Sequence, residues 1–329
     1  MSQFNSLPQE TEITVWGPTQ SGKDWLYKGF AKELEEFTLR SQDFIFDLRE
    51  KRRIDLNFTP VLAEPPNEIN PTSIGEDYIH SFTRKIKENQ GLDSNKLSTY
   101  THYINFHNNR GADLVAALLD PARFETTFLS IIKSQYLLIV LDPNFEKNED
   151  LTPTESSDID QSSNVDEYPE VALRPGMSKD NYYKILTMLL EALANYNSPK
   201  KYLAVCITKT DTLKISSSDP WYLLERTFGQ KIFRLFDNYR RVFNMEAFAT
   251  SAAGYATIKG KSTPNFTHSI NDHGKLLDSA HWRPINCAAP FFWIFQNREL
   301  EQIKLKSNFL NKESNLRNYK RYPLPIRNI

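Results

Sequence analysis

The sequence predicts an α/β fold, a mostly parallel, doubly wound sheet that carries one antiparallel hairpin. Three observations lead there. Two apolar runs, Tyr136-Leu137-Leu138-Ile139-Val140-Leu141 and Tyr202-Leu203-Ala204-Val205-Cys206-Ile207, read as strands buried on both faces, the mark of a parallel sheet. A third run, Ile13 to Trp16, enters a glycine-bounded loop and then a helical pattern with Leu26, Phe30, Leu34 and Phe37. Amphipathic stretches separate the later strands, so strand and helix alternate along the chain.

The elements follow in order. Residues 12–16 form the first strand and Trp25 to Phe37 the body of the first helix. Phe44 to Leu48 is a short strand or a helix end, and the stretch to Asn70, with Pro60, Pro65 and Pro66, reads as a loop or insertion. Two β-prone runs, Asp77 to Ile86 and Leu97 to Phe106, flank a polar segment with Gly91, which predicts an antiparallel hairpin over 77–107. Leu114 to Leu119 and Phe124 to Ile132 are helical, and 136–141 is the clearest buried strand. From 144 to 180 Asp, Glu, Ser and Pro dominate, the composition of an acidic, flexible insertion. Asn181 to Asn197 is an amphipathic helix, 202–207 a strand, and Pro220 to Arg241 a helix with proline suited to its first turn. A strand at 243–248, a polar loop from Tyr255 to about Trp282 and a helix from Ala288 to Lys304 complete one domain over 1–304. Residues 305–329 form a polar, mildly basic tail, either a solvated tail or a docking segment.

The loop Gly17-Pro18-Thr19-Gln20-Ser21-Gly22-Lys23-Asp24 carries the chemistry. Glycines at its two ends let the backbone curl so that successive N–H groups converge on one concavity. The helix that follows offers its N-terminal N–H groups and positive dipole end to the same point. Lys23 adds a point charge for outer phosphates. Strand, loop and helix in this order are the context of a phosphate-binding loop, so the fold class is that of a P-loop NTPase. Asp24 departs from the pattern, which places a Ser or Thr hydroxyl there as a Mg²⁺ ligand; a carboxylate also binds Mg²⁺.

Composition narrows the rest. Forty Lys+Arg balance 41 Asp+Glu, which weighs against a general nucleic-acid binder. No apolar run approaches the ~20 residues of a spanning helix. The polar start of the chain lacks the pattern of a signal peptide. Cys206 and Cys287, far apart, make neither a zinc site nor a disulfide framework, which fits a reducing cytoplasm.

With these ends aligned, the chain resembles the P-loop GTPase superfamily, in its Ras-like and translation-factor-like branch. Thr72-Ser73-Ile74-Gly75 is similar to the first switch, which implies Ser73 or Thr72 as a Mg²⁺ ligand beside Asp24. Asn108-Asn109-Arg110-Gly111 occupies the place of Asp-x-x-Gly. Thr208-Lys209-Thr210-Asp211 looks like the guanine-reading Asn/Thr-Lys-x-Asp, and Thr250-Ser251-Ala252 like the Ser-Ala segment that closes over the base. An ionised Asp211 accepts two N–H donors from guanine, and the Lys209 stem lies along the ring. The resemblance implies GTP or GDP as ligand, Mg²⁺ as its companion and a protein partner.

The departures bear on turnover. Asn108 stands where the family has its metal-shell acid, and no water-orienting Gln follows Gly111. Three functions fit: a guanine-nucleotide switch or slow GTPase, a GTPase-like structural subunit that binds little nucleotide, and a P-loop ATPase with Asp142 as its Walker B acid. Pro143 after Asp142 and the unexplained Thr208–Asp211 motif weigh against the third. The long insertion and altered motifs are also similar to divergent bacterial GTPase-like domains of multi-protein systems, defence systems among them.

Overall fold

A computed structural model describes residues 9–18, 21–41, 44–51, 58–60, 76–87, 97–108, 111–144, 178–196, 200–213, 217, 219–266 and 276–310. Strand β1 (Gln9–Trp16) lies at the centre of an eight-stranded sheet. With β2 (Phe44–Lys51), β3 (Phe58–Pro60), β4 (Glu76–Lys87), β5 (Leu97–Asn108), β6 (Tyr136–Leu141), β7 (Tyr202–Ile207) and β8 (Asn244–Ala249), the order is β3-β2-β4-β5-β1-β6-β7-β8. Every pairing from β5 to β8 is parallel, with Leu137 opposite Leu203 in the β6–β7 register. The expected hairpin is β4–β5, with Asp77 opposite His107. Beyond it the sheet continues antiparallel through β2 and β3, where the sequence showed only an ambiguous run and a proline-rich loop.

Alternation along the strands explains why helices cover both faces. In β6, Leu137, Ile139 and Leu141 join a core with Leu186 and Leu189 of α4 (Lys179–Asn195), Leu114 of α2 (Gly111–Leu119) and Ile131 of α3 (Glu125–Lys133). Leu223 of α5 (Pro220–Phe228) and Phe236 of α6 (Gln230–Tyr239) extend that core. Tyr136, Leu138 and Val140 face the other side, against Phe30 of α1 (Lys23–Arg40) and Phe291 and Phe295 of α7 (Ala289–Leu310). A period of two in fully buried strands thus builds two cores, one on each face.

Three boundaries differ from the sequence expectation. The helix read over 220–241 is two helices, broken at Gly229, whose φ of 90° ends α5 and starts α6. Asp219 caps α5 by accepting from the Trp221 N–H at 2.9 Å, and Pro220 opens it. The loop over 255–282 contains a hairpin, β9 (Tyr255–Ile258) with β10 (Lys261–Pro264). Lys259 and Gly260 at its tip have φ of 50° and 76°, the positive values that a two-residue turn of type I′ needs. Last, α7 runs past Lys304 to Leu310.

Two buried carboxylates fix α7. Glu33 Oε2 of α1 accepts from the Ala288 N–H at 2.7 Å, satisfying a donor at the start of α7. Glu299 bonds Arg84 and, at 3.0 Å, His102 Nε2, tying α7 to the β4–β5 hairpin. A buried carboxylate is tolerated because it is paired. Among the described residues no helix is long and apolar enough to cross a membrane.

Candidate functional site

Parallel strands bring β1, β5, β6, β7 and β8 to one edge of the sheet at their C-terminal ends, where ligands collect in open α/β sheets. The glycine loop leaves β1 there. Gly17 and Pro18 are buried, and the Ser21 N–H donates to the Pro18 carbonyl at 3.2 Å. A Cβ on Gly17 would stand 2.6 Å from Ser21 Oγ and 2.8 Å from the Val140 carbonyl, so only glycine lets the loop lie this close to β6. Gly22 adopts φ 90°, ψ 23°, a left-handed N-cap that turns the chain into α1. Thr19 and Gln20 lie outside the described residues.

Lys23 is 6% exposed, and its ammonium donates to the carbonyls of Gly17 at 3.0 Å and Pro18 at 3.2 Å. Burial pushes its pKa down to about 8, and the Asp24 carboxylate partly offsets this. The Ser21 hydroxyl is buried without a hydrogen-bond partner, which leaves an unsatisfied polar atom in the loop. A cradle that one Cβ would fill, a buried lysine curled into it and a helix N-terminus beyond together fit a phosphate group. Asp24, half-buried, is the second residue of α1, where a carboxylate also favours the helix dipole. Ser73 and Thr72 lie outside the described residues. Among the described residues no three or more His, Cys, Asp or Glu are grouped to hold a metal ion.

The titration of Lys23 gives a signed expectation. A lysine whose folded pKa lies below its unfolded 10.5 destabilises the fold while charged, so stability rises with pH from about 8 towards 10.5. Phosphate binding needs the charged form. A phosphate group held by Lys23 should therefore lose about fivefold in affinity between pH 7 and 8.7 as the lysine deprotonates. Lys23→Arg, charged throughout, should remove that fall; fluorescence titration at both pH values measures it.

The end of β7 joins the loop. Thr208 Oγ1 lies 2.8 Å from the Ser21 carbonyl and 3.1 Å from that of Leu141, so one hydroxyl ties β7 and β6 to the glycine loop. Lys209 takes φ 51°, and its ammonium meets Asp142 Oδ2 at 2.5 Å. Thr210 binds the Thr250 carbonyl through both N–H (3.2 Å) and Oγ1 (3.0 Å). Asp211, 5% exposed, sits in a single 3-10 turn and accepts from the Ser251 hydroxyl. Ser251 Oγ in turn accepts from the Gly254 N–H at 2.8 Å, and the Trp282 indole donates to the Ala252 carbonyl at 2.7 Å. At Gly254, φ is 69° and a Cβ would stand 2.0 Å from the Arg283 carbonyl, which pins the segment after Ser251.

The structure thus brings together Gly17, Pro18, Ser21, Gly22, Lys23, Asp24, Thr208, Lys209, Asp211, Ser251 and Ala252. Gly111 opens α2 directly after β5 at the same sheet edge, and Asn108 ends β5. Asn109 and Arg110 lie outside the described residues. Asp142, weighed from sequence as a Walker B acid, has its carboxylate engaged by Lys209 and by the Asn144 N–H at 2.9 Å. Sequence reasoning missed that pairing because 67 residues separate the partners. It also missed a cleft of about 720 Å³ beside the Asp211 turn, lined by Thr212, Ile258, Lys259, Lys261, Phe266 and Leu277 among others. The Phe266 ring meets Trp25 of α1 edge-on at 5.9 Å, so the β9–β10 hairpin adjoins the start of α1. A Lys-Gly pair between Ile258 and Lys261 was the available signal.

Sheet and helices give the chain a doubly wound α/β fold with a parallel core and one antiparallel hairpin beside it. Among solved structures it is similar to the small GTPase Arl6 (BBS3) from Trypanosoma brucei with bound nucleotide analogue GppNp, at 9% identity and a TM-score of 0.34, over 74% of this chain and 88% of that one. It is also similar to the signal recognition particle receptor SRb-GTP/SRX complex from Chaetomium thermophilum, at 12% identity and a TM-score of 0.40, over 74% of this chain and 91% of that one. No protein-family model and no curated protein matches the chain.

Proposed function

We propose that the chain is a guanine-nucleotide-binding, GTPase-like protein that acts as a switch or subunit of a multi-protein assembly, with absent or slow hydrolysis. One observation carries the reading: Thr208 and the Asp211–Ser251 pair form a continuous wall with the phosphate loop. A ligand with phosphates at Lys23 and a purine edge at Asp211 fits such a wall. A carboxylate offers about four acceptor sites, so a bond from Ser251 is compatible with two N–H donors from guanine. Mg²⁺, if bound with the nucleotide, would neutralise phosphate charge, and Asp24 would be the residue to hold it. The face for a protein partner is the β9–β10 hairpin with the cleft beside it, where Tyr255 and Ile258 of β9 and Leu277 of the cleft are exposed apolar residues near Lys259 and Lys261.

Slow turnover follows from what acts on the transition state. Hydrolysis needs a metal bridging the phosphates, a positioned water and a cation at the developing charge. Asn108 and Asp24 exchange the usual carboxylate and hydroxyl, and Ala112 and Asp113, not Gln, follow Gly111. Small GTPases with intact sites turn over at only about 10⁻⁴–10⁻³ s⁻¹ unaided. Labelled GTP mixed with excess chain and Mg²⁺ should be retained on a filter and recovered intact after an hour. The double substitution Asp24→Ser, Asn108→Asp should raise the single-turnover rate. Fast Mg²⁺-dependent turnover by the native chain would contradict slow hydrolysis, and no retained GTP would contradict binding.

A further inference from the structure

Lys209 is anchored at both ends. At the backbone it holds a left-handed φ of 51°, and its carbonyl accepts from Thr212 Oγ1 at 2.8 Å. At the tip its ammonium meets Asp142 Oδ2 at 2.5 Å. Asp142 is itself held from two sides. Its Oδ1 accepts from the Asn144 N–H at 2.9 Å, and its backbone N–H donates to the Tyr182 hydroxyl of α4 at 3.1 Å. The Lys209 side chain is 35% exposed and that of Asp142 14% exposed. The acid is the more enclosed partner, and the lysine side chain the more exposed one.

A free lysine stem samples many rotamers, and ordering it on binding costs affinity. A stem tied down before the ligand arrives avoids that cost. Thr208, on one side of Lys209, fixes the wall to the phosphate loop, and Asp211, two residues on, faces Ser251. Along the chain, Lys209 thus falls between a residue bonded to the glycine loop and the acid bonded to Ser251.

We propose that Asp142 is a positioning residue for nucleotide binding: it holds the Lys209 stem as a preorganised apolar platform for the purine ring. This rests on the guanine-nucleotide reading above. Asp142 then acts through Lys209 alone, which separates this role from bracing the sheet edge through Tyr182 or Asn144.

A double-substitution cycle reads that dependence. GDP affinity is measured by fluorescence titration for the native chain, Asp142→Ala, Lys209→Met and the double variant, with thermal melting to confirm folding. Asp142→Ala should weaken GDP about tenfold in the native background. With Lys209→Met, which keeps an unbranched stem and has no charge to anchor, Asp142→Ala should change affinity less than twofold. Equal losses in both backgrounds, or no loss from Asp142→Ala in a native chain that binds GDP, would overturn the positioning role and leave the base site standing. Failure of the folded native chain to bind GDP would overturn both.

Discussion

Asp211→Asn should lower GDP affinity by about 100-fold, near the loss of one or two charge-assisted hydrogen bonds. The carboxylate is buried, with Ser251 donating to one oxygen. Guanine presents two N–H donors on the edge that such an acid reads. An amide offers one acceptor oxygen and places an NH₂ opposite a donor, so one hydrogen bond is lost and one contact becomes repulsive. Xanthine carries an oxygen where guanine carries its amino group. The same amide then donates to that oxygen, and xanthosine diphosphate should bind the variant better than GDP does. The substitution is near-isosteric, and Ser251 can still donate to the amide oxygen, so the melting temperature should move little. Competition between GDP and xanthosine diphosphate on native and variant chains checks the reversal.

Lys23→Ala should cost at least about 100-fold in affinity for any nucleotide, whatever its base. The ammonium is buried in the loop and bonded to the Gly17 and Pro18 carbonyls, and incoming phosphate oxygens replace or share those partners. Alanine removes the only charge that the loop itself offers to a phosphate, leaving backbone N–H groups and the α1 terminus. The two variants separate two parts of one site. Loss at Lys23 is blind to the base, and loss at Asp211 depends on it. Unchanged affinity in Lys23→Ala would mean that phosphate binds elsewhere.

The parts visible in the sequence were those with a local period or spacing. Tyr136–Leu141 and Tyr202–Ile207 are buried on both faces and so carry unbroken apolar runs. The loop needed glycine at Gly17 for close approach and at Gly22 for a left-handed turn, and both requirements leave a written trace. What escaped depends on partners distant in sequence. The strand β2 alternates Phe44, Phe46 and Leu48 with Ile45 and Asp47 over too few residues to settle its type, and only pairing with β4 fixes it. The four-residue strands of the β9–β10 hairpin bury little and are too short to show a hydrophobic period. Gly229, read as an interior helix residue, breaks 220–241 because its φ of 90° suits neither helix. At the site, Thr208, Lys209 and Asp211 were legible by spacing. Their ties to Ser21, Asp142 and Ser251 were not, since each spans at least 40 residues.

The central claim is that Asp211 makes this a guanine site joined to a phosphate loop. Parallel titrations of the folded chain with GDP and ADP, under identical Mg²⁺ and salt, test it most directly. The account predicts saturable binding of GDP at least about tenfold tighter than ADP, with the difference removed by Asp211→Asn. Equal affinity for GDP and ADP, or tighter ADP, would contradict it.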